Sequence, residues 1–548
     1  MKFPLTIDHL LWRMQHVHRG SQVISVALGG VAHDQKTFPE TATRARALAG
    51  GLRVIHDLDQ GSVVAVLAFN SRSHLELMLG LPTVGAVVES INVRTGARVI
   101  MDQLRASRPA VVLVDQEALD HGVVGPTVYE VLEECREAGW PTQVLDSRTD
   151  AGVEAILEVG LSSTTSNLQP ADEDAPAYLY HTSGTTGAPK TYTVTHRDAV
   201  LHALCQATTV GAALRADDRV LPLAPFFHVN GWGIPLTCAV TGSDLVLMGS
   251  DASADSVVNV LVEKHVTVAA AVPTVWYDVC EAVRQRFPRL SSSDPTPRFA
   301  LREVLTGGSA VPASVAAGIE RHLGASVVAA WGMTESMACS TYERTDPTLA
   351  AGRPIPLVET RIAEPIGAQG EDQRGRLEVR GAFIVGGRTG NSTVDGWMDT
   401  GDIASIDDNG RLLLHDRQKD LIKSGGEWIV SAELEQRLCS HPGVSNAAVV
   451  GRPDPRWMER PVAYVVLNPS RAQLVVSADE LREHLAAEFP KWWLPDHFII
   501  VDELPRTAVG KIDKVSLRRT PRELGECALG ADVSGSETTQ PETNEVAT

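Results

Sequence analysis

Lysine is scarce in this chain. It occurs nine times in 548 residues, at 2, 36, 190, 264, 419, 423, 491, 511 and 514, and arginine supplies the remaining basic residues. A chain that uses arginine by default keeps lysine where a compact ammonium is needed. Lys190, Lys419, Lys423 and Lys511 all fall inside the motifs described below. Cysteine is also sparse. The seven residues at 135, 205, 238, 280, 339, 439 and 527 are scattered, odd in number and never spaced C-x-x-C. That excludes a disulfide framework or a cysteine-based zinc site and suits free thiols in a reducing cytosol. Long apolar runs are missing, and none approaches the roughly 18 residues that span a bilayer. The segment Met1 to His9 carries no apolar h-region, so no signal peptide is expected and a cytoplasmic location is. Positive charge is in deficit: the net charge of −19 argues against a general nucleic-acid binder and against anionic membrane surfaces. One local cationic pocket remains compatible with it. There is no internal repeat and no coiled-coil heptad.

What is present is the composition of a soluble globular protein, 43% apolar and 21% charged. The length exceeds one ordinary core, so several subdomains are expected. Val63 to Ala68 and Ala110 to Val114 read as short buried strands, with a helical stretch from Arg72 to Leu81 between them. Leu245 to Met248 and Val266 to Val272 repeat the pattern. Such alternation predicts α/β layers with a largely parallel sheet. Near residue 375 the pattern changes. Gly375 to Gly381 and Gly410 to His415 alternate polar and apolar residues, which predicts a small antiparallel or β-barrel-like unit. Beyond Asp416 the chain reads as compact α+β, with helices near Ser431–Cys439 and Ser477–Phe489. Residues 528–548, rich in Ser, Thr, Gly and acidic residues, read as a disordered tail.

The stretch Thr182-Ser183-Gly184-Thr185-Thr186-Gly187-Ala188-Pro189-Lys190 follows a short buried strand, Ala177 to Tyr180. A glycine- and hydroxyl-rich turn leaving a strand can bare its N–H groups to phosphate oxygens. It is not a Walker A loop, because no Gly-Lys-Ser/Thr opens a helix here. Four more segments suit a nucleotide. Ala330-Trp331-Gly332-Met333-Thr334-Glu335 combines a flat ring with a carboxylate able to serve Mg²⁺. Thr306-Gly307-Gly308-Ser309-Ala310 is a small-residue turn that lets a ligand approach backbone closely. Trp397 to Asp402 offers a carboxylate suited to ribose hydroxyls. Leu504 to Ile512 carries Lys511 at the tip of a Pro/Gly loop.

In this order and at these separations, the five segments resemble those of the acyl-activating, adenylate-forming superfamily over roughly residues 20 to 520. The chain looks most like a fatty acyl-CoA synthetase at Pro225 to Trp232, Val272 to Trp276 and Asp416 to Trp428. The resemblance implies an adenylation domain at 1–416, a mobile C-terminal domain at 417–526 and a tail at 527–548. It implies that a carboxylate attacks the ATP α-phosphate, and that CoA then takes the acyl group and releases AMP. Thr182, Ser183, Gly184, Thr185, Thr186 and Lys190 would hold phosphates. Glu335, with Thr186, would bind Mg²⁺, and Thr334 would stand near the α-phosphate. Trp331, Gly332, Met333, Gly308, Ser309 and Ala310 would line the adenine pocket, while Asp402 and Arg417 would take the ribose. His228, Val229, Asn230, Trp232, Thr306 and Gly307 would border the acyl group, Trp232 as its gate. Lys511 would bridge carboxylate and α-phosphate. Lys419 would be the hinge, and the face around Lys423 would serve thioester formation. A homodimer is implied by the resemblance alone.

The chain departs from the pattern in three places. Thr191-Tyr192 follows Lys190 where Gly-Val is usual, Gly231 stands where a small side chain such as alanine is usual, and Ser336 to Thr341 lacks the Ser-Pro commonly found after Glu335. The first reading is an ATP-dependent ligase joining a medium or long fatty acid to CoA. A second keeps the adenylate but passes it to an amine, a carrier-protein thiol or an internal hydroxyl, or activates nitrite as a diazotase does. A non-catalytic binding protein is the third.

Overall fold

A computed structural model describes residues 3–26, 32–162, 172–182, 190–287, 299–348, 350–366, 373–388, 395–425, 427–468, 476–506 and 512–519. The tail expected at 528–548 lies outside them. The chain divides into two compact units between Gln418 and Lys419.

In the larger unit the β-branched runs form strands because both of their faces can be buried. Along Val63–Leu67 and Val111–Asp115, Val64, Val66, Val111 and Leu113 enter one core, while Ala65, Leu67, Val112 and Val114 enter another. The period of two thus sends alternate residues to opposite faces. These strands belong to a six-stranded sheet that is parallel except for the hairpin of Pro176–Thr182 and Lys190–Thr195. A nine-stranded sheet holds Ser326–Trp331, Glu303–Gly307, Val268–Ala271, Arg219–Pro222, Asp244–Leu247 and Gln22–Val26 in parallel, with antiparallel strands at both edges. Its residues divide in the same way, Val220 and Leu245 facing the first core and Leu221 and Val246 an outer one.

The first core is therefore a filling between two sheets. Helices Ile7–His16, Phe38–Ile55, Arg72–Gly80 and His196–Gln206 supply Leu10, Ala42, Met78 and Ala199 to it. Helices Ala254–Glu263, Pro273–Arg286 and Ala313–Leu323 cover the outer face of one sheet; Ala97–Ser107 and Gly125–Glu137 cover that of the other. Each Leu or Val buried in these layers contributes about 1.5–3 kcal/mol against exposure. Local signals start the helices: Thr37 with Glu40 and Thr195 with Asp198 form reciprocal capping boxes. The alternating segments near residue 375 form a four-stranded antiparallel sheet of Val358–Ile366, Arg374–Gly381, Met398–Ile406 and Leu412–Arg417.

In the smaller unit, Val444–Asp454 and Met458–Leu467 form a long hairpin in a five-stranded sheet, the first at its edge and the second pairing also with Ile422–Ser424 and His497–Ile500. Helices Ser431–Cys439 and Ala478–Ala486 pack on one face with Ala447, Val449, Ala463 and Val465. Leu517 of Lys514–Arg519 packs on the other with Ala448, Val450, Val462 and Tyr464.

Candidate active site

The carboxyl ends of parallel strands are where open α/β sheets accept ligands. Two neighbouring strands end here in turns that demand glycine. Gly307 pairs with Ala330, and a Cβ on Gly307 would meet the Ala330 carbonyl oxygen at 2.4 Å. A Cβ on Gly332 would lie 1.1 Å from the carbonyl oxygen of Ala338. Between these turns, Gly308 (φ +83°), Ser309 and Ala310 are exposed. Thr306 is fully buried, and its hydroxyl has no partner among the described residues. Met333 donates its N–H to Ser336, opening the tight turn Thr334–Ser336 that carries Thr334 and Glu335.

Asp402 reaches this edge from the antiparallel sheet. Its carboxylate is buried and accepts from the Trp331 indole N–H at 3.0 Å and from Arg417 Nε at 2.7 Å. Arg417 is the direct cross-strand partner of Asp402, so sheet register builds the pair. Trp331 is itself buried, with its N–H committed to this carboxylate. Residues far apart in the chain thus share one pre-oriented carboxylate.

The hairpin Pro176–Thr182 and Lys190–Thr195 carries the phosphate-loop sequence at its tip. Ser183, Gly184, Thr185 and Thr186 lie outside the described residues; Thr182 and the exposed Lys190 pair directly at their boundary. The hairpin's two faces do different things. On one, the Tyr192 ring is buried, and Glu335 and Thr182 are among the groups that act on its phenol. Burial first, and then Glu335, push its phenol well above the ordinary value. On the other, the Thr191 hydroxyl lies 3.2 Å from His181 Nδ1. His181 Nε2 lies 2.5 Å from the fully buried Glu89, which also accepts from Ser107 at 2.8 Å. Among the described residues no three His, Cys, Asp or Glu form a metal cage. Glu335 is a single hard oxygen donor beside a phosphate-loop sequence, and Mg²⁺ bound with a nucleotide uses one or two carboxylates plus phosphate oxygens and water. The donor set fits that ion.

His228 to Trp232 follow the strand Arg219–Pro222 of the same sheet. Val229, Asn230, Gly231 and Trp232 all have positive φ (41°, 47°, 62° and 60°), a left-handed turn. Asn230 is buried, and its side-chain carbonyl has no partner among the described residues. The turn is anchored from outside. Asn70 donates to the carbonyls of Pro222 and Ala224 and accepts from the N–H of Phe226 at 2.8 Å. Gln206 donates to the Trp232 carbonyl at 2.9 Å and to the Tyr342 hydroxyl at 2.6 Å, and accepts from Thr237 at 2.5 Å. Asn70, Tyr192, Gln206, Glu89 and His181 carry no motif in the sequence, since their partners are remote in the chain. The only hint was Thr191-Tyr192 itself, where the phosphate-loop pattern breaks.

In the smaller unit, Lys423 places its ammonium 5.1 Å from the centre of the Trp428 ring and donates its backbone N–H to Glu459. Gly425 (φ +62°) lies against Trp457, which a Cβ would meet at 2.9 Å. Lys419 lies between two fixed points. Gln418 bonds to Gly401 in the larger unit, and Asp420 is paired with Arg518 at 2.6 Å in the smaller one. Gly426 and Lys511 lie outside the described residues; the loop bearing Lys511 is closed by a bridge between Arg506 and Ile512.

Residues 17–387 match the family described as AMP-binding enzyme, and residues 433–511 match the AMP-binding enzyme C-terminal domain. The chain belongs to the AMP-binding enzyme family. It is 37% identical to a long-chain-fatty-acid–CoA ligase of Thermus thermophilus, over 94% of this chain and 96% of the relative. It is 32% identical to a medium-chain-fatty-acid–CoA ligase of Ectopseudomonas oleovorans, over 94% and 96%. Its fold is similar to that of the anthranilate CoA ligase AuaEII in complex with anthranoyl-AMP (TM-score 0.79, 22% identity, 94% and 97% covered). As an AMP-binding enzyme with acyl-CoA ligases as homologues, the chain is an AMP-forming acid–thiol ligase. No helix among its described residues is long and apolar enough to cross a membrane.

Proposed function

We propose that this enzyme activates a medium- or long-chain fatty acid with ATP and transfers the acyl group to CoA. The observation that carries the nucleotide half is the buried Asp402 carboxylate, held by Trp331 and Arg417 at the carboxyl edge of the parallel sheet. A carboxylate fixed by two donors is ready to accept from ribose hydroxyls without reorganising. The turn of Gly308, Ser309 and Ala310, with Gly332 and Met333, lines the adenine side. Thr182 to Thr186 and Lys190 hold the β- and γ-phosphates, with Thr334 near the α-phosphate. Mg²⁺, when bound, neutralises phosphate charge, and Glu335 with Thr186 would hold it. His228 to Trp232, Thr306 and Gly307 border the acyl group. The substrate class rests on relatives named for long- and medium-chain fatty acids.

Residues 1–416 form the adenylation domain and residues 417–526 the mobile one, turning at Lys419. One orientation brings Lys511 to the carboxylate and α-phosphate, where it balances the charge that builds as they join. The other brings the Lys423 face to the acyl-adenylate for attack by the CoA thiol. The protein works in the cytoplasm.

Two measurements test this reading. Pyrophosphate release is followed with C2 to C18 acids, aryl acids and nitrite, each with and without CoA. Fatty acids are expected to give AMP with matching loss of CoA; AMP release that consumes no CoA would replace CoA with another acceptor. For Lys511→Ala, adenylation is expected to fall about 10²-fold or more, and a fall of less than about threefold would remove Lys511 from the chemistry. Transfer from preformed acyl-adenylate to CoA should persist in that variant.

A further inference from the structure

The strands that bear the phosphate-loop sequence carry a polar ladder on one face. Val87–Ser90, Pro176–Thr182 and Lys190–Thr195 lie side by side in the six-stranded sheet. Alternation sends Val88, Tyr180 and Tyr192 into the core between the sheets. Glu89, His181 and Thr191 therefore face the other side, which helix Ala97–Ser107 covers. His181 and Thr191 are direct cross-strand partners, one rung below Thr182 and Lys190, the first and last residues of the loop sequence. Glu89 pairs with Leu179, two residues before His181 and so on the same face.

The side chains bond in series. Glu89 accepts at 2.8 Å from Ser107, the last residue of that helix, and lies 2.5 Å from His181 Nε2. With that nitrogen donating to Glu89, His181 Nδ1 presents its lone pair to the Thr191 hydroxyl at 3.2 Å. The His181 and Glu89 side chains are 4% and 0% exposed, so neither has water as an alternative partner. A glycine after the lysine, as is usual, has no side chain to complete this series. Thr191 does.

We propose that Thr191 and His181 are positioning residues: through Glu89 and Ser107 they fix the two stems of the phosphate loop against each other and against the helix behind them, and so pre-order Thr182 and Lys190 for the β- and γ-phosphates of ATP. The stems then have less freedom to lose when the phosphates arrive. The inference rests on the reading of Thr182 to Lys190 as the phosphate loop.

The test reads binding without turnover. Calorimetry gives dissociation constants for a non-hydrolysable ATP analogue with magnesium, and for AMP, which lacks the β- and γ-phosphates. The proteins are wild type, Thr191→Val, Thr191→Ser, His181→Phe, Lys190→Ala and the double variant of Thr191→Val with His181→Phe. Thr191→Val is expected to weaken the ATP analogue about fivefold, the effect of one lost hydrogen bond, while Thr191→Ser, which keeps the hydroxyl, stays within about twofold of wild type. His181→Phe is expected to cost about tenfold, and the double variant should bind no worse than His181→Phe alone, because Thr191 acts through His181. AMP affinity should stay within about twofold in all of these, whereas a merely structural role would move both ligands together. An unchanged ATP-analogue affinity in Thr191→Val, an equal loss for AMP, an equal loss in Thr191→Ser, or additive losses in the double variant would overturn the proposal. Lys190→Ala tests the underlying reading separately and is expected to weaken the ATP analogue about tenfold or more. An unchanged affinity there would remove the phosphate-loop reading, and this inference with it. Should His181→Phe not fold, Thr191→Val against Thr191→Ser decides alone.

Discussion

A buried carboxylate is tolerated only when its donors are built around it. Asp402 meets that condition with one donor from each of two sheets, Trp331 and Arg417. Asp402→Ala leaves the indole N–H without its acceptor and the Arg417 guanidinium without its ion pair. Arg417 is more than a third exposed, so water recovers part of that loss. The expected destabilisation is about 1–3 kcal/mol, read from denaturant melts. The KM for ATP is expected to rise about tenfold or more in pyrophosphate-release assays, while Asp402→Glu should restore part of it. Asp402 and Trp331 were legible in the sequence as members of motifs. Asn70 was not, because it acts on partners that local sequence does not name. Asn70 bonds to Phe226 across 156 residues.

At the scale of elements, the left-handed turn Val229–Trp232 explains a departure that looked arbitrary. Gly231 has φ +62°, and a Cβ there would meet Phe226 Cδ1 at 2.9 Å and the Ala224 carbonyl oxygen at 3.1 Å. The alanine usual at this position would be strained in this backbone. Gly231→Ala is expected to lose about 1–2 kcal/mol of stability, measured by thermal melting. It should also disturb acyl-chain selectivity more than ATP affinity, since the strain falls beside Trp232. The proposed hinge makes a second prediction at this scale. The chain is fixed on either side of Lys419, by the bond of Gln418 to Gly401 and the Arg518–Asp420 pair. In the proposed rearrangement, motion between the two units passes through few backbone torsions. Lys419→Pro freezes one of them and is expected to change the two half-reactions unequally. Adenylation and thioester formation, assayed separately, should differ in their response by about tenfold or more. Equal responses would place the pivot elsewhere.

At the scale of the molecule, burial sets the response to acid. His74, His196 and His202 are buried, and desolvation pushes each imidazole down to about 4. Each is neutral in the folded state but takes a proton when unfolded near 6.5. The unfolded chain therefore binds more protons between pH 6.5 and 4, and stability falls as pH falls through that window. Each imidazole removes at most about 1.4 kcal/mol per pH unit there. Asp115 opposes them in part. Burial pushes its carboxyl up to about 6, so the folded state gains a proton there that the unfolded state takes only nearer 4. Three groups outweigh one, and urea unfolding at pH 7, 6 and 5 should give steadily lower stability; a rise from pH 7 to 5 would contradict this balance. The sequence by itself determined which runs are strands, because a β-branched segment such as Val111–Asp115 is stable only where both of its faces are buried. It also determined the chemistry on offer, because a hydroxyl-rich loop with one lysine, a lone carboxylate at 335 and another at 402 are written in consecutive residues. Only the tertiary structure decided what holds the Asp402 carboxylate and the turn at Phe226. Trp331 meets Asp402, and Asn70 meets Phe226, because sheet register and layer packing bring remote segments within hydrogen-bond reach, where direction and distance decide the bond and no local pattern records them.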